Sequence, residues 1–554
     1  MDSLPSFNKF IEDSIVKNWN NDALTDYQGA TLQYNDVARK IAKIHIMYEH
    51  VGIQRGDKIA MCGRNSSHWG VAFLATLTYG AVAVPILHEF NSEQIHNIVN
   101  HSGAKILFVG DYVAKQITPD AMPDLMGIIY LPDLSVSVSR SEALTYGRAH
   151  LNEMFGKKYP MAFRSENVHY HQDQPEELAV INYTSGTTGH SKGVMLPYRA
   201  LWGNTDYILR ELAPKVKSGT NMLSILPMAH MYGLAIEFLF GFAHGMHIYF
   251  LNRLPSPAII AQALSTVKPS IIIAVPLILE KIIRKRVFPK IQTHPMRLLM
   301  SMPVISKKVK QKICEQVYEA LGGNAYEVII GGAALNQEVE DFLMSIDFPL
   351  TVGYGATECA PLISYCDYKE HRAGSCGRAV DGMEVKILSS DPEHRAGEIV
   401  TRGTNVMLGY YKDEASTRAT IDKDGWYHTG DLGTMDAGGH IFIRGRSKNM
   451  LLGANGQNVY PEEIEDKLNN MLMVSESLVI QKGDKFIGLV HPDLEEAKNM
   501  GFTEEDLNNI MEENRKKLNA TLPSYSNLSA IVLHDEEFAK TPKKSIKRYL
   551  YQNV

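Results

Sequence analysis

From about Thr31 to Tyr354, short apolar runs alternate with longer amphipathic stretches, and this rhythm restricts the chain to a few architectures. Residues 57–61 read as a strand, 69–79 as a helix, and 81–85 as a strand apolar on both faces. A strand, a helix and a second buried strand in that order make a βαβ unit, whose strands lie parallel. Strand-like runs recur at 106–109, 178–183, 221–226, 246–251, 271–275, 327–330 and 350–354. They predict a large α/β body with mostly parallel sheets. After about Gly377 the texture shifts to runs at 385–388, 397–400 and 441–443 separated by Gly and Asp turns, which predicts a small β-rich module. Beyond Arg446 come a strand at 450–452, a helix at 461–471, a hairpin at 478–491 and a helix at 503–518, a compact α+β unit. The expected division is 1–445 and 446–554.

With 554 residues, the chain has room for three or four folding units. Its 45% hydrophobic and 21% charged residues suit a folded globular protein. Lys+Arg 56 against Asp+Glu 62 gives −6, so no overall positive field draws in nucleic acid, and any anion site must be local. Five widely spaced cysteines (Cys62, Cys314, Cys359, Cys366 and Cys376) form no C-x-x-C pair, which argues against structural zinc or a disulfide framework. The segment Met1-Asp2-Ser3-Leu4-Pro5 lacks the basic-then-apolar pattern of a signal peptide, so the cytoplasm is the expected compartment. The apolar stretches at 234–250 and 270–279 are too short or too interrupted to span a bilayer, although a peripheral contact at the inner face stays open.

One loop is dense in phosphate-binding groups. Tyr183-Thr184-Ser185-Gly186-Thr187-Thr188-Gly189-His190-Ser191-Lys192-Gly193-Val194 follows an apolar strand and gathers three glycines, five hydroxyls and a lysine. Backbone N–H groups of such a loop can converge on a phosphate, with hydroxyls and Lys192 adding donors. It is not a Walker A loop, because Gly193 comes after Lys192 instead of before it. By composition alone it is also an ordinary Ser/Gly turn.

The loop resembles the phosphate-binding signature of the adenylate-forming superfamily of acyl-CoA synthetases, adenylation domains and luciferases. The similarity extends along nearly the whole chain. Gly331-Gly332-Ala333-Ala334-Leu335 is similar to the family's adenine-side loop and Gly353-Tyr354-Gly355-Ala356-Thr357-Glu358 to its adenine and metal motif. Tyr427-His428-Thr429-Gly430-Asp431 resembles its ribose motif and Arg444-Gly445-Arg446-Ser447-Lys448 its interdomain hinge. The resemblance implies two half-reactions: a carboxylic acid and ATP give acyl-AMP and pyrophosphate, then the C-terminal domain rotates about Lys448 and CoA takes the acyl group. It also implies that His230 lies near the acyl carboxylate and that the largely apolar run 234–241 walls an acyl tunnel, although core packing explains any one of these residues equally well.

The residue types fit these roles chemically. Tyr354 has a flat ring for a purine, and Thr357 can donate to a phosphate. Glu358 and Thr184 are hard oxygen ligands for Mg2+. The Asp431 carboxylate can accept from a ribose diol, and Arg446 can donate to the same sugar. Taken singly, Tyr354 could equally be a core tyrosine and Asp431 a turn residue.

One motif departs from the pattern. The family's last motif is Thr-Pro-x-x-Lys-x-x-Arg, and its lysine serves adenylation. Here Thr541-Pro542-Lys543-Lys544-Ser545-Ile546-Lys547-Arg548 puts Ser545 in that place. Lys544 is the first candidate to replace the family lysine and Lys547 the second; the alternative is weakened adenylation. A second unassigned feature is the acid-free basic stretch of Lys281, Arg284, Lys285, Arg286, Lys290, Arg297, Lys307, Lys308, Lys310 and Lys312. It reads as a solvated face, or as a site for CoA phosphates, an anionic membrane or an acidic carrier protein.

The expectation is an ATP- and Mg2+-dependent acid-thiol ligase, most nearly a bacterial long-chain fatty-acid CoA ligase. It would take a carboxylic acid, ATP and CoA and no nucleic acid, with a homodimer left open. The competing readings are an acyl-AMP ligase loading a carrier protein and a catalytically weak lipid-binding or regulatory homologue.

Overall fold

Helix Ser67–Tyr79 is buried on every face, only His68 and Tyr79 reaching solvent. Such a helix must be covered on all sides. Ser66 caps it by accepting from the Trp69 N–H, and Gly80 ends it in the left-handed region at φ 85°. A Cβ on Gly70 would come within 2.9 Å of the Phe238 ring, so the absence of a side chain there sets how closely helix and neighbour approach. These positions come from a computed structural model that describes residues 5–184, 191–253, 256–291, 303–453, 457–540 and 546–552.

The first sheet has eight strands in the order Gly409–Tyr410, Lys192–Pro197, Leu178–Thr184, Val82–Ile86, Lys58–Cys62, Ile106–Val109, Gly127–Tyr130 and Ser135–Ser139. Its central pairings are parallel, as the sequence rhythm predicts. Its edges are antiparallel. For two of these pairs the reason is loop length: a parallel crossover takes a dozen or more residues, and only 185–191 separate Thr184 from Lys192 and 131–134 separate Tyr130 from Ser135.

A second sheet orders Asn221–Ser224, His247–Phe250, Asp22–Asp26 and Thr31–Gln33. A third, all parallel, orders Ile272–Ala274, Val328–Ile330 and Leu350–Val352, and a bridge between Met222 and Ile271 joins the two. The segments 225–230, 331–336 and 353–359 therefore leave carboxyl ends of these sheets, where open α/β sheets bind ligands. The β-rich module is an antiparallel sheet of Met383–Leu388, Gly397–Gly403, Tyr427–Met435 and Ile441–Arg446.

Past Arg446 the chain forms helix Pro461–Leu468, the hairpin Val474–Lys482 and Lys485–Pro492, helix Glu504–Asn519, and strand Leu528–Leu533 parallel to the second hairpin strand. Its buried apolar residues make clusters of their own, Val459 through Leu528 and Leu478 through Tyr551, apart from the large cluster running from Phe7 to Ile441. Among the described residues no helix is long and apolar enough to cross a membrane.

Of the basic stretch, Lys281, Lys307, Lys308 and Lys312 are exposed and Lys310 is half-buried. Arg284 instead turns to Asn470 and Glu338 and so leaves the open basic face. Arg297 lies outside the described residues.

Candidate active site

The phosphate-loop candidate spans a hairpin. Thr184 and Lys192 are register partners at its base, and Thr184 Oγ1 points to the Lys192 carbonyl at 3.5 Å. Ser185, Gly186, Thr187, Thr188 and Gly189 lie outside the described residues. Because both flanks are strands, donation to a phosphate there has to come from loop N–H groups, hydroxyls and Lys192, without a helix N-terminus behind them.

Lys192 begins its strand. Its ammonium donates to Ser416 Oγ at 2.8 Å and lies over the Tyr410 ring, 4.8 Å from the centre. The Tyr410 hydroxyl donates to Glu358 Oε1 at 2.9 Å. One aromatic side chain thus links the lysine of the hairpin to the carboxylate that follows the third sheet. The Tyr410 hydroxyl is held well above its usual range, first by burial and then by the Glu358 charge. Sequence reasoning missed Tyr410 and Ser416. The only trace is Gly409-Tyr410-Tyr411, whose pairing with Val194 and Met195 cannot be read from either segment alone. Thr357 is buried in the turn Thr357–Cys359 with Glu358. A Cβ on Gly355 would fall 2.2 Å from the Pro361 carbonyl oxygen, so the turn requires glycine there, whereas Gly353 has ordinary room.

Asp431 and Arg446 face each other across two antiparallel strands, with Arg446 Nε 3.0 Å from Asp431 Oδ1. Tyr354 donates to the other carboxylate oxygen at 2.7 Å. Tyr354 and Asp431 are each 7% exposed, so the tyrosine is anchored by its hydroxyl with little of its ring in solvent. Burial raises the Asp431 pKa and the Arg446 charge opposes that rise. Glu398 shapes the preceding turn by accepting from His428 at 2.9 Å and from the Gly430 N–H at 3.1 Å.

Electrostatic coupling joins these pieces. Desolvation lowers the Lys448 pKa, as do the cations of Arg446 and Lys192, while Asp431 and Glu358 oppose the shift. Lys192, Glu358, Asp431, Arg446 and Lys448 therefore share one field. Ala333 is exposed in the loop after strand Val328–Ile330, and half-buried His230 follows strand Asn221–Ser224. Tyr232 connects the two loops: its hydroxyl donates to the Ile329 carbonyl at 3.1 Å, and a Cβ on Gly331 would lie 2.9 Å from its ring. Lys544 and Ser545 lie outside the described residues. Among the described residues no group of three or more His, Cys, Asp and Glu side chains could hold a metal by itself.

Comparison with known proteins shows the family and the fold. A long-chain fatty-acid CoA ligase of Rattus norvegicus is 27% identical over 486 residues, covering 83% of this chain and 71% of its own length. A peroxisomal long-chain acyl-CoA synthetase of Arabidopsis thaliana is 28% identical over 476 residues, covering 79% of this chain and 64% of its own. ATP-bound MatB from Rhodopseudomonas palustris superposes with a TM-score of 0.74 at 21% identity, covering 98% of each chain. A fatty acyl CoA synthetase of Mycobacterium tuberculosis does so with a TM-score of 0.66 at 20% identity, covering 99% of this chain and 97% of its own. The model of the AMP-binding enzyme family matches residues 11–411, which contain the hairpin loop, Ala333, Tyr354 and Glu358, and the chain belongs to that family.

Proposed function

We propose that this protein activates a long-chain fatty acid with ATP and transfers the acyl group to CoA, releasing AMP and pyrophosphate. The observation that supports it most is the linkage of Lys192 and Glu358 through Tyr410, which sets a cation and a hard carboxylate beside one loop mouth. A nucleotide triphosphate needs both, one to neutralise phosphate oxygens and one to ligate its metal.

In the first half-reaction a carboxylate oxygen of the acid attacks the α-phosphorus. The new O–P bond forms as the bond to the bridging oxygen breaks, and pyrophosphate carries the electron pair away. In the second, the CoA thiolate attacks the acyl carbon and the C–O bond breaks to release AMP. The chain's part is positioning and charge stabilisation. Thr184, Lys192 and the hairpin loop, with Ser185, Gly186, Thr187, Thr188 and Gly189, hold the β- and γ-phosphates. Ala333 and Tyr354 border the base, Thr357 reaches a phosphate, and Asp431 with Arg446 binds the ribose. Asp431 keeps acceptor capacity beyond its bonds to Tyr354 and Arg446, because a carboxylate has about four lone-pair sites. His230 meets the acid's carboxylate, and Lys544 supplies the adenylation cation.

Thr184 and Glu358 suit Mg2+ as oxygen donors, and two protein ligands suffice for an ion that takes its remaining ligands from substrate phosphates and water. When bound, it would neutralise phosphate charge. The unit 446–554 is proposed to rotate about Lys448 between the half-reactions. The acyl tail is assigned to a tunnel walled by the largely apolar run 234–241, all of whose residues are buried.

The test is pyrophosphate release across carboxylic acids of increasing chain length, with and without CoA. Acid-dependent release together with CoA-dependent thioester is the expected result. Release without thioester points to a carrier-protein acceptor, and no release with any acid refutes the assignment.

A further inference from the structure

Between strand Ser224 and helical Met231 the backbone has no helix or strand ladder of its own, yet this segment is buried and ends at His230. Buried backbone groups need partners. Here side chains from three other elements provide them. Glu237 accepts from the Ile225 N–H at 3.2 Å, the Leu226 N–H at 3.1 Å and the Ser224 hydroxyl at 2.9 Å. Asn65, in the loop after strand Lys58–Cys62, donates to the Leu226 carbonyl at 2.7 Å and to Ser224 Oγ at 3.1 Å, and accepts from the Met228 N–H at 2.8 Å. Asn182, on strand Leu178–Thr184, donates to the Ala229 carbonyl at 2.9 Å. Within the loop the His230 N–H donates to the Pro227 carbonyl at 2.9 Å.

These are costly residues to bury. Asn65, Asn182, Ser224 and Glu237 are 5%, 2%, 0% and 0% exposed. Burial lifts the Glu237 carboxyl to about 8, and every group pulling it back is a hydrogen-bond donor of this same loop, with no cation among them. Glu237 also sits in a π-helical segment, Gly233–Phe240, whose other residues are apolar. A π turn inserts a residue and re-aims the side chains around it, and such turns are frequent at functional sites.

We propose that Asn65, Asn182 and Glu237 are positioning residues that fix the 225–230 backbone, and through it the His230 imidazole, in the geometry that receives the fatty acid's carboxylate. This rests on the role given to His230 above. The clamp joins three parts of the site: Asn182 stands two residues before Thr184, Asn65 precedes the central helix, and Glu237 lies in the helical segment that begins just after His230. The side chain nearest the acid is thus held by the strand that also carries the phosphate loop. A preset histidine lowers the reorganisation needed when substrate arrives.

Core filling by polar residues would also satisfy these groups, and a double-mutant cycle on the full chain separates the two roles. Initial rates of pyrophosphate release are measured for Glu237→Met, Asn182→Ala and Glu237→Gln, each alone and with His230→Ala, using the fatty acid the wild type turns over best. Glu237→Met and Asn182→Ala should lower kcat/KM for the acid roughly tenfold or more, with KM for MgATP within about threefold of wild type. Glu237→Gln, whose amide oxygen still accepts from the two N–H groups, should keep most activity. In the His230→Ala background the same changes should cost less than about twofold, because the group they position is gone. Equal losses in both backgrounds, or equal effects on acid and ATP, overturn the proposal. If the wild type releases no pyrophosphate with any acid, the proposed function fails, and amide exchange in Asn182→Ala decides the clamp alone. Faster exchange confined to 224–232 upholds it, and unchanged exchange overturns it.

Discussion

Tyr410 donates its hydroxyl to Glu358 at 2.9 Å while the Lys192 ammonium lies over the same ring. The phenol orients the carboxylate proposed for the metal and its π-face holds the lysine proposed for the phosphates, so two deletions should give graded losses. Tyr410→Phe removes one hydrogen bond to a charged group, worth ~1.5–3 kcal/mol, and should lower pyrophosphate release roughly tenfold or more. Tyr410→Ala also removes the cation–π contact and should lose several-fold more. Glu358→Ala and Lys192→Ala should each cost roughly 10²-fold. Steady-state rates on folded variants check the order, and a fully active Tyr410→Ala would remove the linkage from the proposed mechanism.

Buried carboxyls make stability fall with rising pH. Glu237 and Glu327 are both raised from 4.5 to about 8, chiefly by burial. The native state therefore holds protons that the unfolded chain has released, and the associated stability is complete below about 4.5 and lost as pH rises through about 8. His45 and His88, lowered to about 4 by burial, act oppositely: their contribution is present above 6.5 and lost toward about 4. Between pH 6.5 and 9 the carboxyls should dominate, so Tm should drop across that window. Glu327→Gln should flatten the drop, because it cannot ionise and still accepts from Tyr365, which donates at 2.6 Å in the wild type. Differential scanning calorimetry at pH 6.5 and 9 measures it, and identical Tm differences in the two proteins would rule out Glu327 as a contributor.

The proposed rotation has a local handle. Lys448 lies in the single turn Ser447–Asn449, immediately after Arg446, which pairs with Asp431, and before Asn449, which donates to Glu462 at 2.7 Å. Contacts to the body and to the C-terminal unit thus flank one residue. Lys448→Pro fixes φ there and should impair thioester formation more than acyl-AMP formation. Equal loss in both half-reactions would indicate simple destabilisation, and equal retention would place the pivot elsewhere.

The body's architecture was readable because apolar periodicity is local. Residues 57–61 and 69–79 predict, within a residue or two, the observed strand Lys58–Cys62 and helix Ser67–Tyr79. Each motif also places its own residues at a strand end or turn. What escaped is long-range pairing: nothing in Gly409-Tyr410-Tyr411 announces that it will lie on Lys192–Pro197, so Tyr410 was invisible. The antiparallel edges were hidden for a related reason, since apolar periodicity is the same for either strand direction. Glu237 interrupts an apolar run and reads as a blemish in sequence; only its bonds to Ser224, Ile225 and Leu226, in a loop that distant Asn65 and Asn182 also hold, give it meaning.

The substituted tail motif is where sequence and family disagree most. The ends flanking 541–545 are pinned: Lys540 and Ile546 form an antiparallel bridge, the Lys547 N–H donates to the Ala539 carbonyl at 2.8 Å, Lys540 pairs with Glu476 and Arg548 with Glu465. Lys547 stands between Ile546, packed on a core cluster, and the ion-paired Arg548, so its backbone has little freedom to reach a distant site. That constraint favours Lys544, which adjoins Ser545 within the span. A lysine ammonium is a compact charge on a flexible stem, so moving it by one residue can preserve function if the turn reorients it. Lys544→Ala should then depress acyl-AMP formation sharply while the reaction of preformed acyl-AMP with CoA stays nearly intact, and Lys547→Ala should change little. Ser545→Lys should add little to the wild type but partly rescue Lys544→Ala. A degenerate tail predicts the reverse, with Lys544→Ala silent and Ser545→Lys alone raising adenylation strongly. Both half-reactions measured on the three single variants and on the Lys544→Ala, Ser545→Lys double variant decide it, and a silent Lys544→Ala would end the assignment.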